Sequence, residues 1–89
     1  MISRRLRIIN KLGLHARAAA KLVACTSRFE SRIEIERKGR KVNGKSIMGV
    51  MMLAAANGSD IDIHLDGPDE QQAMEAIEAL VNARFGEEE

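Results

Sequence analysis

At 89 residues, 45% hydrophobic and 30% charged, the chain is one small folded domain, 1–89, too short for two and too apolar for intrinsic disorder. The net charge of +1 hides an asymmetry, because residues 1–45 carry 13 Lys and Arg against 3 acids while residues 46–89 carry 1 against 10. Aromatic residues are 2%, Phe29 and Phe85 alone, which removes the base-stacking platforms that many RNA and single-strand binders require.

In chain order, residues 2–9 place Ile2, Leu6 and Ile8 at even spacing and predict a strand with one wet face. Asn10 to Gly13 breaks that pattern. From Ala16 to about Arg28 the chain is Ala-rich, and Ala19, Leu22, Val23 and Thr26 recur at helical spacing. Ile33 and Ile35 alternate with charged neighbours as a second strand, Lys38-Gly39 is a hairpin signal, and Lys41-Val42 begins a short third strand. Ser46 suits the N-cap of a helix through Ile47 to Leu53, with Asn57-Gly58 as the stop signal. Ile61, Ile63 and Leu65 mark a fourth strand. Pro68 suits a first helical turn, and Ala73, Ile77, Leu80 and Val81 mark a third helix. Glu87 to Glu89 reads as a frayed acidic tail. The order βαββαβα with alternating strands predicts an α+β open-faced sandwich, a four-stranded antiparallel sheet covered on one face by three helices.

The single cysteine, Cys25, excludes an internal disulfide and reads as a small apolar residue. With two scattered histidines it offers no zinc-ligand spacing, so no metal is expected. No apolar run approaches the ~18 residues of a membrane helix, and the expected setting is soluble and cytoplasmic.

The segment Asn10-Lys11-Leu12-Gly13-Leu14-His15-Ala16-Arg17 places a histidine in the turn immediately before a helix, where free backbone N–H groups and the helix dipole favour an anion. Neutral imidazole is a nucleophile, and Arg17 offers a forked donor to phosphate oxygens, so the segment suits reversible phosphoryl transfer without a metal. On spacing alone a capping or merely exposed histidine fits as well. His64 lies among acids on the wet face of a strand and reads as solvated.

Gly39 to Ser46 matches the P-loop pattern G-x-x-x-x-G-K-S in full. The context argues against a nucleotide loop: the preceding strand is half-exposed, the first glycine belongs to a hairpin, and a strand around Val42 occupies the loop itself. The helix after Ser46 has apolar residues on two sides, Ile47, Val50, Met51 and Ala54 on one and Met48, Met52 and Ala55 on the other. A two-layer domain covers one side of a helix, so part of this surface is expected to be exposed; the methionines then either form an adaptable docking patch or merely plug a loose core.

Gly13-Leu14-His15-Ala16-Arg17, together with Gly44-Lys45-Ser46-Ile47-Met48-Gly49-Val50-Met51 about 30 residues later, resembles the HPr family of phosphocarrier proteins of the bacterial phosphotransferase system, nitrogen-branch relatives included. The resemblance implies that His15 accepts a phosphoryl group on its δ nitrogen from phosphorylated enzyme I and passes it to an EIIA-type protein. It implies Arg17 as electrostatic partner, the backbone amides of Ala16 and Arg17 as phosphate donors, and Ser46 as a regulatory serine for an HPr kinase/phosphorylase. The docking surface it implies comprises Ala20, Lys21, Lys45, Ile47, Met48 and Met51. Such a protein is a covalent carrier rather than an independent catalyst, needs no cofactor, and is most simply a monomer. Ala18 stands where the family commonly has proline, which restores an N–H and loosens the fixed backbone angle.

Two other readings compete with the carrier. One is a purely regulatory binding module working through Ser46 and the Met-rich helix with His15 idle. The other is a nucleic-acid binder using Arg4, Arg5, Arg7 and Arg37 to Lys41 as a basic strip, against which the acidic second half and the missing aromatics count. The basic residues His15, Arg17, Lys21, Arg28 and Lys45 predict a positive face around His15 suited to acidic protein partners.

Overall fold

The computed structural model describes residues 1–89. The chain runs β1 (Ile2–Arg7), α1 (Ala16–Thr26), β2 (Arg32–Arg37), β3 (Arg40–Asn43), α2 (Ile47–Met52), β4 (Asp60–Asp66) and α3 (Glu70–Asn82), followed by a 3-10 turn at Arg84–Gly86. The strands form one sheet in the order β1-β4-β2-β3 with every neighbouring pair antiparallel, the expected α+β open-faced sandwich.

Strict alternation decides which way each strand faces. Leu6, Ile33, Ile35, Ile61, Ile63 and Leu65 all point inward and are buried. They meet Ala19, Leu22 and Val23 of α1 and Ala73, Met74, Ile77 and Val81 of α3 in one core, which Val50, Leu53 and Phe85 complete. Burying each large side chain of this set contributes about 1.5–3 kcal/mol. Lys38 and Gly39 both take positive φ, 50° and 81°, the two-residue turn whose twist matches the β2–β3 hairpin.

The outer face of the sheet is a set of cross-strand ion pairs. Register places Arg5 opposite Asp62 and Arg7 opposite Asp60, and Arg5 grips both Asp62 oxygens, at 2.9 and 3.3 Å. Arg4, on the other face, reaches Glu78 of α3. The basic strip considered for nucleic acid therefore does not form: its β1 arginines are each matched by an acid from the second half. Arg37 and Arg40 donate to the carbonyls of Leu53 and Met52. His64 is not simply solvated, because it bonds Ser3 Oγ at 2.8 Å and Glu36 Oε1 at 2.9 Å and so bridges β1 and β2.

Three boundaries differ from expectation. β1 ends at Arg7, after which Ile8 remains buried and pairs with Gly58 and Ser59. α2 stops at Met52 instead of continuing toward Asn57-Gly58, and Ala54 takes φ 51°. Leu53 and Ala55 are both buried there, and the Ala55 carbonyl is needed by the Leu14 N–H. Pro68 lies outside α3, whose N-cap is Asp69. The Asp69 carboxylate makes no cap bond; it accepts from the N–H groups of Glu30 and Ser31 and from Ser31 Oγ, fastening the α1–β2 connection to the start of α3.

Candidate phosphoryl-carrier site

His15 is presented by a loop held from behind. Asn10 is fully buried and its Nδ2 donates to Gly13 O at 2.8 Å, closing the turn. Gly13 has φ 69° and lies so close to the stretch after α2 that a Cβ would stand 2.5 Å from Ala55 O. Only glycine fits both the left-handed backbone and that approach. Leu14 is buried, and its N–H donates to the same Ala55 carbonyl at 2.8 Å. Ala18 and Ala19 are buried on the far side. With its neighbours in sequence anchored, His15 is left half-buried at the N-cap of α1, φ −73° and ψ 178°.

The start of α1 is open. The His15 side chain does not cap the helix, and its carbonyl accepts from Ala19 N, so the N–H groups of Ala16 and Arg17 have no acceptor within the chain. These are the orphan donors that make a helix start an anion site. The Arg17 side chain is exposed and has no carboxylate or carbonyl partner within the chain. A shallow depression beside these groups is lined by Lys11, Leu12, His15, Ala16, Arg17 and the segment Glu87 to Glu89.

That last segment overturns the expectation of a frayed tail. Glu87 Oε2 lies 2.5 Å from His15 Nε2, Glu87 Oε1 accepts from Asn10 Nδ2 at 3.0 Å, and the Glu89 carbonyl accepts from Lys11 N–H at 2.9 Å. Phe85 explains why: fully buried, it pins the 3-10 turn to the core, and Lys21 Nζ holds its carbonyl at 2.7 Å. Hydrogen bonds from Asn10 first and His15 second hold the Glu87 carboxyl below the usual glutamate range, with the nearby charge of Lys21 acting in the same direction. The face around His15 is accordingly mixed, Lys11 and Arg17 beside Glu87, Glu88 and Glu89, rather than uniformly positive. Glu87 is the site residue that sequence reasoning missed, because its partners Asn10 and His15 lie 77 and 72 residues away in the chain.

The second motif resolves as geometry too. Gly39 belongs to the hairpin turn, β3 fills the supposed loop, and Ser46 caps α2, its Oγ accepting from Gly49 N–H at 3.1 Å. Ile47, Met48, Met51 and Met52 are 43, 73, 39 and 59% exposed, so the apolar excess of α2 faces outward while Val50 alone is buried. α2 packs against α1, and the Leu14–Ala55 bond ties the stretch following α2 to the residue before His15. Ala20 and Lys21 are exposed on α1. Lys45 is half-buried with its ammonium on the Phe29 carbonyl at 2.6 Å, so it is less free than a surface lysine.

A family model described as the PTS HPr component phosphorylation site matches residues 2–83. The chain belongs to the HPr family. It is 57% identical over all 89 residues of both chains to phosphocarrier protein HPr of Cupriavidus necator, and 51% identical over 89 residues, again the whole of each, to that of Neisseria meningitidis. HPr-C-His from Thermoanaerobacter tengcongensis superimposes with a TM-score of 0.96 at 43% identity, covering all of both chains. HPr from Bacillus anthracis gives 0.84 at 45% identity, over 88% of this chain and 93% of that one. As an HPr-family phosphocarrier of the phosphotransferase system, the chain works with protein partners of that system. The partial burial of Cys25, which pushes its thiol pKa up and disfavours the thiolate, is consistent with a packing role outside that chemistry.

Proposed function

We propose that His15 carries the phosphoryl group, taking it from phosphorylated enzyme I and giving it to an EIIA-type protein, with residues 1–89 acting as a single-domain cytoplasmic monomer. The observation that carries this reading is the placement of the His15 ring at the open start of α1, beside two unclaimed N–H groups and an Arg17 side chain without a carboxylate partner. Transfer is a displacement at phosphorus. As the bond from His15 Nδ1 to phosphorus forms, the donor histidine's P–N bond breaks and its electron pair stays on the donor nitrogen; delivery to the acceptor is the same step with His15 as leaving group.

The protein's part in this step is positioning and charge. The N-terminus of the eleven-residue α1 presents about half a positive charge, and the Ala16 and Arg17 amides supply donors without rearrangement. The Arg17 guanidinium adds a charge-assisted fork for the phosphoryl oxygens. The scheme calls on no cofactor and no metal.

Exposed Ile47, Met48 and Met51, with Ala20, Lys21 and Lys45, supply a docking surface whose methionines adapt to successive partners. Ser46 lies at the head of that surface. A kinase of the HPr kinase/phosphorylase type acting there adds about −1.5 to −2 charge, tolerated locally at a helix start but repulsive to an acidic partner. Incubation with phosphoenolpyruvate and enzyme I is expected to add one acid-labile, base-stable phosphate that a His15→Ala variant does not accept. Labelling that survives the substitution overturns the assignment, and Ser46 phosphorylation with partner binding but no transfer makes the protein a regulatory module instead.

A further inference from the structure

Outside the motifs, the polar group closest to the reacting ring is the Glu87 carboxylate, and it is built into the fold. Its side chain is 15% exposed, and the His15 side chain 28%. One carboxylate oxygen accepts from the Nδ2 of fully buried Asn10, and the other faces His15 Nε2 at 2.5 Å. Behind it, Phe85 is buried, Glu87 N–H donates to Arg84 O at 2.9 Å, and Lys11 N–H holds the Glu89 carbonyl. Two hydrogen bonds hold this carboxyl in its ionised form, which has no proton to give and can only accept. The hydrogen between Glu87 and the ring must then belong to Nε2. A neutral imidazole has one N–H, so Nδ1 is left with its lone pair free.

We propose that Glu87, braced by Asn10, is a positioning residue of the carrier site: it holds His15 in the tautomer with hydrogen on Nε2 and so makes Nδ1 the nucleophile. The proposal rests on His15 as the phosphoryl acceptor. When Nδ1 bonds phosphorus, the ring keeps its Nε2 hydrogen and gains a positive charge, which the carboxylate stabilises. When the group leaves, the bonding pair returns to Nδ1 and the ring is neutral again with the same hydrogen in place. No proton is moved in either direction, which suits a reversible carrier. The relation parallels the carboxylate that orients the histidine of a serine-protease triad, with the other ring nitrogen doing the chemistry.

The test compares the full-length wild type with Glu87→Ala and Glu87→Gln. Nitrogen-15 NMR of the histidine side chains at about pH 8, where an ordinary imidazole is neutral, reads the tautomer directly. His15 of the wild type is expected almost wholly in the Nε2–H form. Glu87→Ala should show a mixture of both forms, and Glu87→Gln, with one oxygen to share between Asn10 and His15, should fall between. The signals of His64, bonded to Ser3 and Glu36 on the outer face, serve as an internal control and should not move. Initial rates of phosphorylation by phosphorylated enzyme I should fall by about 10- to 100-fold in Glu87→Ala, the range seen when a ligand-orienting partner is removed. An unchanged tautomer in Glu87→Ala overturns the proposal, as does a transfer rate equal to or above wild type, the latter marking the segment as a cover over His15. The NMR measurement needs no enzyme I; a wild type that shows the Nε2–H form but takes no phosphate refutes the carrier reading and leaves the tautomer result standing.

Discussion

Gly13→Ala isolates the contact that sets the position of the His15 loop. The new methyl meets two penalties. At φ 69° an L side chain is strained, at a cost of about 1–2 kcal/mol. The Cβ also stands 2.5 Å from Ala55 O and 2.8 Å from Ala56 Cα, both backbone atoms that cannot rotate aside, and overpacking of this kind costs roughly 1–3 kcal/mol. Loss of glycine freedom in the unfolded chain returns about 0.4–1 kcal/mol, leaving a net destabilisation of about 2–4 kcal/mol. Gly58→Ala is the matched control: its φ is 88°, but nothing lies within 4 Å of the added methyl, so only the backbone strain remains. Urea unfolding of the three proteins measures the difference. With a slope of about 1–3 kcal/mol per molar, a 3 kcal/mol loss lowers the Gly13→Ala midpoint by roughly 1–3 M. Relief by backward movement of the loop also displaces His15, and a misplacement of about 1 Å lowers phosphotransfer by about 100-fold. A Gly13→Ala protein as stable as Gly58→Ala, and as active as wild type, refutes the close approach of the loop to Ala55.

Three further outcomes are expected. Ser46→Ala removes the acceptor of the Gly49 N–H and should cost about 1 kcal/mol in urea unfolding, with far-ultraviolet circular dichroism barely altered because α2 is only six residues long. Phe85→Ala empties a fully buried site and should cost about 3–5 kcal/mol if the segment stays docked; a smaller loss accompanied by hydrogen exchange at the Glu87 and Lys11 amides would mean that residues 84–89 detach locally. The carboxyls of Asp62, Asp69, Glu70 and Glu87 all titrate below their ordinary range, held by Arg5, by Ser31 and the Glu30 N–H, by the Gly67 N–H, and by Asn10 and His15 respectively. Each favours the fold while ionised, so this stability is complete above the unfolded values near pH 4 and is lost as pH falls through the depressed ones. Thermal melts should therefore hold level down to about pH 5 and decline below pH 4, less steeply in Asp69→Asn; a melting temperature that rises on acidification contradicts the sign.

The elements that were legible from sequence are those whose signal is local. Alternation of Ile33 with Ile35 and of Ile61, Ile63 and Leu65 decided the sheet faces; Lys38-Gly39 decided the hairpin; Ser46 decided the cap. The helical spacing of Ala19, Leu22, Val23 and Thr26 decided the buried face of α1. The end of α2 was not legible, because Ala54 leaves the helix to let Leu53 and Ala55 enter the core beside Leu14. Nor was Asp69 readable as a tether, since its partners Glu30 and Ser31 are almost forty residues away.

The split between a basic first half and an acidic second half is a property of the chain; what it does is a property of the fold. Read linearly, it predicts a positive face around His15. Antiparallel pairing of β1 with β4 instead sets Arg5 and Arg7 against Asp62 and Asp60, α3 carries Glu78 to Arg4, and the buried Phe85 swings Glu87 onto His15. His15, Arg17 and the helix start they occupy could be named from residues alone, because a cap and a first turn are built from neighbours. The carboxylate facing the histidine could not, since 72 residues separate the two and only the packing of the core brings them within a hydrogen bond.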